Sequence, residues 1–137
     1  VLERLFEELR PRVWIGLGFA PHRTALDLEV FALNMAHAWR GDNDGVSPCL
    51  EPIVPGGPAA YRTRLDPLAT CELFGRHGVE MKPAFHAGTF LCNQVFYLGC
   101  HRSEAGDLER AAFIHVPPME DSTSLESALV ELFESLV

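Results

Sequence analysis

The sequence lacks the features that mark membrane-spanning and nucleic-acid-binding proteins. No apolar run approaches the roughly 20 residues that a membrane-spanning helix needs. Basic residues are few, since 11 Lys and Arg stand against 19 Asp and Glu, which gives a formal net charge of −8. Such a charge disfavours association with nucleic acid and with anionic membranes. We therefore expect neither a nucleic-acid partner nor a membrane partner.

The sequence also lacks the cysteine patterns of a disulfide framework or a zinc site. Its four cysteines include no C-x₂-C pair, and Cys100 and His101 are sequence neighbours, a poor geometry for one tetrahedral ion. No basic stretch followed by an apolar segment opens the chain, which starts at Val1 within a helical pattern, so we expect no secretory signal. These absences favour a reducing cytoplasm, no bound metal, and a chain that is a fragment or a processed product.

What is present predicts one compact α/β domain. Hydrophobic residues make up 47% of the 137 residues and charged residues 22%, enough for a real core. The predicted elements are a helix over 2–9, strands over 12–18 and 24–34, a turn-rich stretch with one hairpin over 35–67, a helix over 67–77, a strand over 79–85, a helix over 88–101, a strand over 110–116 and a last helix behind a capping box of Thr123 and Glu126. This order indicates a sheet that is at least partly parallel, with helices on both faces. Along 24–34 the apolar residues alternate, which places Leu26, Leu28, Val30 and Ala32 on one side of the strand.

Three residues carry the candidate chemistry. Cys92 falls in the first turn of a predicted helix, where unpaired N–H groups and the helix dipole stabilise a thiolate. His115 ends a predicted buried strand, the edge where ligands collect in open α/β sheets, and Glu29 is a carboxylate within the apolar run LDLEVFALN. Together they supply a nucleophile, a base and an orienting group. The residues alone leave the structural alternatives open: a buried thiol, a core histidine and an exposed glutamate.

Four stretches resemble one enzyme family, in the order in which that family carries them. They are GLGFAPHRTALDLEVFALN, DNDG followed by PIVPGGPAAY, HAGTFLCNQVFY and AAFIHVPP, and together they span almost the whole chain. With these motifs the chain resembles the pyroglutamyl-peptidase I family of cysteine peptidases, also called pyrrolidone-carboxylate peptidases.

The resemblance assigns roles residue by residue. It implies that Cys92 is the nucleophile, His115 the base and Glu29 the carboxylate needed for activity. It adds Asp42 as a further acid near the histidine. Three more residues are expected to bind substrate: Phe90, Leu91 and Phe19.

The resemblance also implies a fold and a reaction. The expected fold is a three-layer αβα sandwich with a partly parallel mixed sheet, in a single domain over residues 1–137. The expected reaction releases N-terminal pyroglutamate (5-oxoproline) from a peptide, by thiolate attack and hydrolysis of an acyl-enzyme. No cofactor or metal is expected, and the protein is expected to be a cytoplasmic homo-oligomer, a dimer or a tetramer.

The sequence departs from the family pattern in ways that carry their own expectation. The family has an N-terminal strand and a G-F-x-P-F-G-type substrate loop that these residues do not include. We therefore expect this chain to be a weak or inactive peptidase that aggregates or pairs with a partner chain, and the alternative hypothesis is a truncated homologue acting as a binding module. Pro21 and His22 replace a diglycine, and His86 stands where aspartate is usual, so the likeness predicts the reaction class better than the pocket shape.

Overall fold

A short first helix is followed by three strands, and from there helices and strands alternate along the chain. The structure is a computed structural model that describes residues 2–41 and 43–137. The elements are α1 (Leu2–Leu9), β1 (Val13–Phe19), β2 (Leu26–Leu33), β3 (Ala60–Arg62), α2 (Pro67–Arg76), β4 (Met81–His86), α3 (Leu91–Glu104), β5 (Arg110–Val116) and α4 (Thr123–Leu136). Among these described residues, no helix combines the length and apolarity that crossing a membrane requires.

The five strands form one mixed sheet. Its order is β1-β5-β2-β3, and β4 pairs with the other edge of β2. Strand β5 runs parallel to β1 and antiparallel to β2, whereas β2 runs parallel to β4 and antiparallel to β3. The predicted partly parallel sheet is confirmed.

Helices cover both faces of this sheet over two separate apolar clusters. On one face, α2 and α4 bury Phe74 and Leu132 against the sheet residues Leu28 and Ile114. On the other face, α3 packs over a second cluster, and α1 lies beside it, with Phe6 edge-on to the Trp14 ring. The second cluster consists of Ala32, Phe96, Tyr97, Cys100, Ala111 and Phe113. The predicted αβα layering is confirmed, because neighbouring residues of β5 contribute to opposite clusters.

The regular alternation predicted along β2 ends partway down the strand. Leu28 belongs to the cluster under α2 and α4, whereas Ala32 belongs to the cluster under α3, and Phe31 between them is exposed. The strand changes partners over this interval, because Leu28 pairs with β5 and Phe31 pairs with β3. A change of neighbouring strand within one element cannot be seen in a period-two pattern.

Two helix starts differ from the sequence prediction. Helix α3 begins at Leu91 rather than at Gly88, because Gly88 has a φ of +82°, outside the helical region. Helix α4 is preceded by Ser122 as its N-cap, so the predicted capping box of Thr123 and Glu126 is wrong. The Ser122 hydroxyl instead donates to the Glu126 carboxylate at 2.6 Å.

Two helical glycines have opposite surroundings and should respond oppositely to substitution. A Cβ at Gly99 in α3 would lie 2.7 Å from the Trp14 ring, whereas a Cβ at Gly75 in α2 meets nothing within 4 Å. We expect Gly99→Ala to lower the free energy of unfolding by about 1–3 kcal/mol through overpacking. We expect Gly75→Ala to raise it by up to about 1 kcal/mol through helix propensity. Urea denaturation of both variants beside the wild type measures the two changes, and an unchanged or raised free energy of unfolding in Gly99→Ala would contradict the tight contact at Trp14.

Candidate active site

Three elements bring Glu29, Cys92 and His115 together. Glu29 lies on β2, and His115 lies near the end of the antiparallel strand β5, where Asp27 is its partner in the ladder. Glu29 Oε1 lies 2.7 Å from His115 Nδ1, and both residues are buried, at 0% and 7% exposure. Cys92 is the second residue of α3 and is partly exposed. A buried carboxylate, an imidazole and an accessible thiol therefore share one site.

The neighbouring strand β1 leaves room for the imidazole. Gly18 is the register partner of His115, and a Cβ there would lie 2.8 Å from the Phe113 ring and 3.1 Å from His115 Cδ2. The rings of Phe113 and His115 pack edge to face, with centroids 5.2 Å apart. Any larger residue at position 18 would displace these rings, so this glycine is part of what orients His115.

The start of α3 is fixed to the end of β2 by a buried side chain. Asn93 is fully buried, and its Oδ1 accepts from the Leu33 N–H at 2.8 Å. Its Nδ2 donates to the carbonyls of Leu33 and Met35, at 2.9 and 3.0 Å. Because Cys92 is the adjacent residue, these three hydrogen bonds hold the thiol at a defined position relative to the strand that carries Glu29.

His115 is surrounded by groups that favour its protonated form. Its pKa is raised from 6.5 to about 9, first by a side-chain hydrogen bond with Cys92 and then by one with Glu29, against the opposing effect of burial. Glu29 uses the Nδ1 atom, so Nε2 is the ring nitrogen left for Cys92. Near neutral pH the ring therefore carries both protons.

The raised pKa of His115 predicts a pH-dependent stability. Because the folded pKa lies above the unfolded value of 6.5, the stabilisation is complete below pH 6.5 and is lost as the pH rises through about 9. We expect the free energy of unfolding to fall more between pH 6.5 and 9 in the wild type than in His115→Gln. Urea denaturation at both pH values tests this. His22→Gln, which removes an exposed imidazole, should keep the wild-type dependence, and an undiminished fall in His115→Gln would refute the assignment.

Of the four other residues predicted for the site, three are described by the structure and one is not. Phe90 and Leu91 immediately precede Cys92 and line a cavity of about 320 Å³ together with residues of the 46–53 segment. Phe19 ends β1, one residue beyond the partner of His115, and is 71% exposed. Asp42 lies outside the described residues. Substrate binding by Phe90, Leu91 and Phe19, and the supporting role of Asp42, stay predictions.

Two charged residues next to the site were not singled out from the sequence. Asp27 is fully buried and forms an ion pair with Arg23. Arg23 also extends toward Glu29, with its Nη2 3.9 Å from Glu29 Oε1. The signal was the spacing of Asp27 and Glu29, since residues two apart in a strand share a face. Two carboxylates on one face of an apolar strand are stabilised by a nearby cation, so this spacing predicts one.

A metal-binding cluster is not formed by the residues that the structure describes. Within 2–41 and 43–137, no three His, Cys, Asp or Glu side chains group so that they could hold an ion.

The sequence and the fold are both similar to known pyrrolidone-carboxylate peptidases. The enzyme of Pyrococcus furiosus is 39% identical over 118 residues, which cover 85% of this chain and 57% of that protein. The Bacillus subtilis enzyme is 37% identical over 123 residues, covering 89% of this chain and 57% of its own length. The crystal structure of pyrrolidone carboxyl peptidase from P. furiosus superimposes with a TM-score of 0.89 at 30% identity, over 99% of this chain and 76% of the other.

These matches cover nearly all of this chain but only part of its relatives. The chain spans 57% of the length of the two curated relatives above. The family described as pyroglutamyl peptidase matches residues 1–130. The same family is indicated by the family match, by the similar fold and by the motifs around Glu29, Cys92 and His115. The chain belongs to the pyroglutamyl peptidase family.

Proposed function

We propose that this chain carries the active site of a cysteine exopeptidase that releases N-terminal pyroglutamate from peptides. The observation that carries the proposal is the buried pair of Glu29 and His115, 2.7 Å apart, beside the partly exposed thiol of Cys92. This is the order of groups that an activated thiol requires: a nucleophile, a base and a third group that orients the base. Family membership supplies the substrate class.

The proposed reaction proceeds in two stages. The Cys92 thiolate attacks the carbonyl carbon of the pyroglutamyl–X bond, and His115 Nε2 donates its proton to the leaving amine as the C–N bond breaks. The product of this stage is a thioester. In the second stage a water molecule gives a proton to His115 and attacks the thioester, which releases pyroglutamate and returns the thiolate–imidazolium pair. Glu29 Oε1 accepts a hydrogen bond from His115 Nδ1–H in both stages. This contact keeps Nε2 directed at the reacting atoms.

The start of α3 supports stabilisation of the oxyanion. The N-cap residue Phe90 makes no side-chain hydrogen bond to the N–H groups of the first turn. Such groups carry the positive end of the helix dipole and have no partner within the helix. Because Cys92 itself lies in this turn, its backbone surroundings suit the negative oxygen that develops on attack.

The surroundings of Cys92 also suit a neutral ring. Pyroglutamate has no free α-amine, so its site needs apolar contacts with a few amide-matching hydrogen bonds. Phe90 and Leu91 are partly exposed apolar side chains that directly precede Cys92 in the chain. Apolar contacts of this kind suit an uncharged ring better than the charged amine of an ordinary N-terminus.

A fluorogenic pyroglutamyl amide tests the proposal directly. We expect the chain to hydrolyse this amide weakly, in line with the expectation from its sequence, and to leave the matched prolyl amide intact, because the prolyl ring carries a charged amine and lacks the lactam carbonyl. Release of the fluorophore from both substrates at similar rates would contradict the substrate class. No release from the pyroglutamyl amide by the folded 137-residue chain would contradict the activity and favour the alternative of an inactive homologue.

A further inference from the structure

We propose that Arg23 is a positioning residue that keeps the carboxylate of Glu29 aimed at His115, and that the buried Asp27 holds Arg23 in place. The inference rests on the proposed function insofar as Glu29 and His115 serve catalysis. It adds two residues to the site, neither of which contacts the thiol.

The contacts of Arg23 place it between two carboxylates. Its Nη1 pairs with Asp27 Oδ2, and its Nη2 lies 3.9 Å from Glu29 Oε1. Glu29 Oε1 is the same oxygen that lies 2.7 Å from His115 Nδ1. One carboxylate oxygen therefore faces the guanidinium on one side and the imidazole on the other, and a planar guanidinium is suited to a fixed two-point contact of this kind.

Arg23 is one of three cations beside two buried carboxylates. Asp27 and Glu29 are both fully buried, and Asp27 Oδ1 and Glu29 Oε2 have no hydrogen-bond partner. The cations beside them are His115 on β5, Arg23 in the loop between β1 and β2, and Lys82 on β4, whose Nζ is 3.9 Å from Asp27 Oδ1. A buried carboxylate with an unbonded oxygen depends on nearby positive charge, and Arg23 is the cation that forms ion pairs with both Asp27 and Glu29 among the described residues.

Loss of Arg23 should therefore reach Cys92 through two other residues. Without the guanidinium, Glu29 loses the positive partner on one side of Oε1 and is held less firmly against His115 Nδ1. A less firmly held Glu29 stabilises the His115 imidazolium less, and the imidazolium in turn stabilises the Cys92 thiolate less. The charged and titratable groups in this chain of effects are Arg23, Asp27, Glu29, Lys82, His115 and Cys92.

The test measures the pH dependence of iodoacetamide alkylation at Cys92, followed by mass spectrometry of the peptide that contains it. In Arg23→Gln we expect the acid limb of the profile to move to higher pH by about one unit, with an alkylation rate at pH 6 about tenfold below wild type. Arg23→Lys restores the charge without the fork, so its profile should lie between the two. A wild-type profile for Arg23→Gln, or identical profiles for the Lys and Gln variants, would overturn the proposal.

Two further variants separate positioning from general electrostatics and from misfolding. Arg12→Gln removes an arginine that pairs with Glu109 at 2.7 Å, at the opposite end of β1 and β5, and should keep the wild-type profile. The double variant Arg23→Gln/Asp27→Asn keeps the interior charge-balanced, which protects the fold if Arg23→Gln alone does not fold. We expect its acid limb to stay displaced, since Glu29 still lacks its guanidinium. A shifted Arg12→Gln profile, or full recovery in the double variant, would show that Arg23 does not act on Glu29.

Alkylation is measured without turnover, so failure of this inference and failure of the proposed function can be told apart. A wild-type chain that does not hydrolyse pyroglutamyl amides but shows the displaced profile in Arg23→Gln would refute the peptidase activity and support the positioning role. Turnover that is lost in Cys92→Ala but unchanged in Arg23→Gln across the acid limb would support the peptidase activity and refute the positioning role.

Discussion

Cys92→Ala should abolish hydrolysis of the pyroglutamyl amide, with a loss of at least about 10⁴-fold in kcat, because no other group in the site can form the thioester. The fold should be intact, since the side chain is only partly buried and its neighbour Asn93 supplies the contacts that fix the helix start. Turnover by the purified variant, with circular dichroism to confirm folding, measures the effect. Wild-type turnover by Cys92→Ala would remove the nucleophile from the proposal.

Cys100 provides the matched control on the same helix. It is buried in the apolar cluster beneath α3, and burial raises its pKa to about 12, so it holds its proton at neutral pH. Cys100→Ala should leave turnover almost unchanged. Iodoacetamide should label Cys92 well before Cys100, and faster labelling of Cys100 would contradict the environments assigned to the two thiols.

Glu29→Gln should reduce turnover by about a thousandfold while preserving the size of the side chain. The amide can no longer hold the imidazolium electrostatically, and its NH₂ group can present a donor to His115 Nδ1, which favours the wrong tautomer. The pKa of His115 should fall, because one of the hydrogen bonds that raise it is lost. Turnover as a function of pH and NMR titration of the imidazole are the two measurements. An unshifted titration with full activity would show that Glu29 is structural only.

A second histidine–carboxylate pair offers the control for this experiment. Glu131 on α4 lies 2.6 Å from His77, on the face of the sheet opposite α3. Glu131→Gln breaks a pair of the same chemistry far from Cys92. Its turnover should equal that of the wild type, and a comparable loss would mean that the effect of Glu29→Gln reports stability rather than catalysis.

The parts of the fold that follow from local chemistry could be predicted from the sequence. Helix α2 begins at Pro67 as predicted, because Asp66 accepts hydrogen bonds from the N–H groups of Leu68 and Ala69 at 3.0 and 3.1 Å. The position of His115 at an edge of the sheet was predicted from the apolar strand that carries it, which two prolines end. These signals lie within a few residues of the feature they predict.

Features that depend on distant partners could not be predicted in the same way. The end of the alternation in β2 depends on which strand lies beside each half of it, and the ion pair of Arg23 and Asp27 depends on how deeply that strand is buried. The 2.7 Å contact of Glu29 with His115 joins residues 86 positions apart. The resemblance of the motifs to a known family predicted a role for both residues. Periodicity alone left open that they are a core histidine and an exposed glutamate.

The three hydrogen bonds that Asn93 makes to the end of β2 and to Met35 have a consequence for observing the site in solution. The Leu33 amide donates to a side chain of α3, so its hydrogen exchange requires that the start of α3 separate from β2. Such an opening would also carry Cys92 away from Glu29 and His115. The exchange rate of this single amide therefore measures how often Cys92 separates from Glu29 and His115, and a ligand that binds across the two elements would slow it.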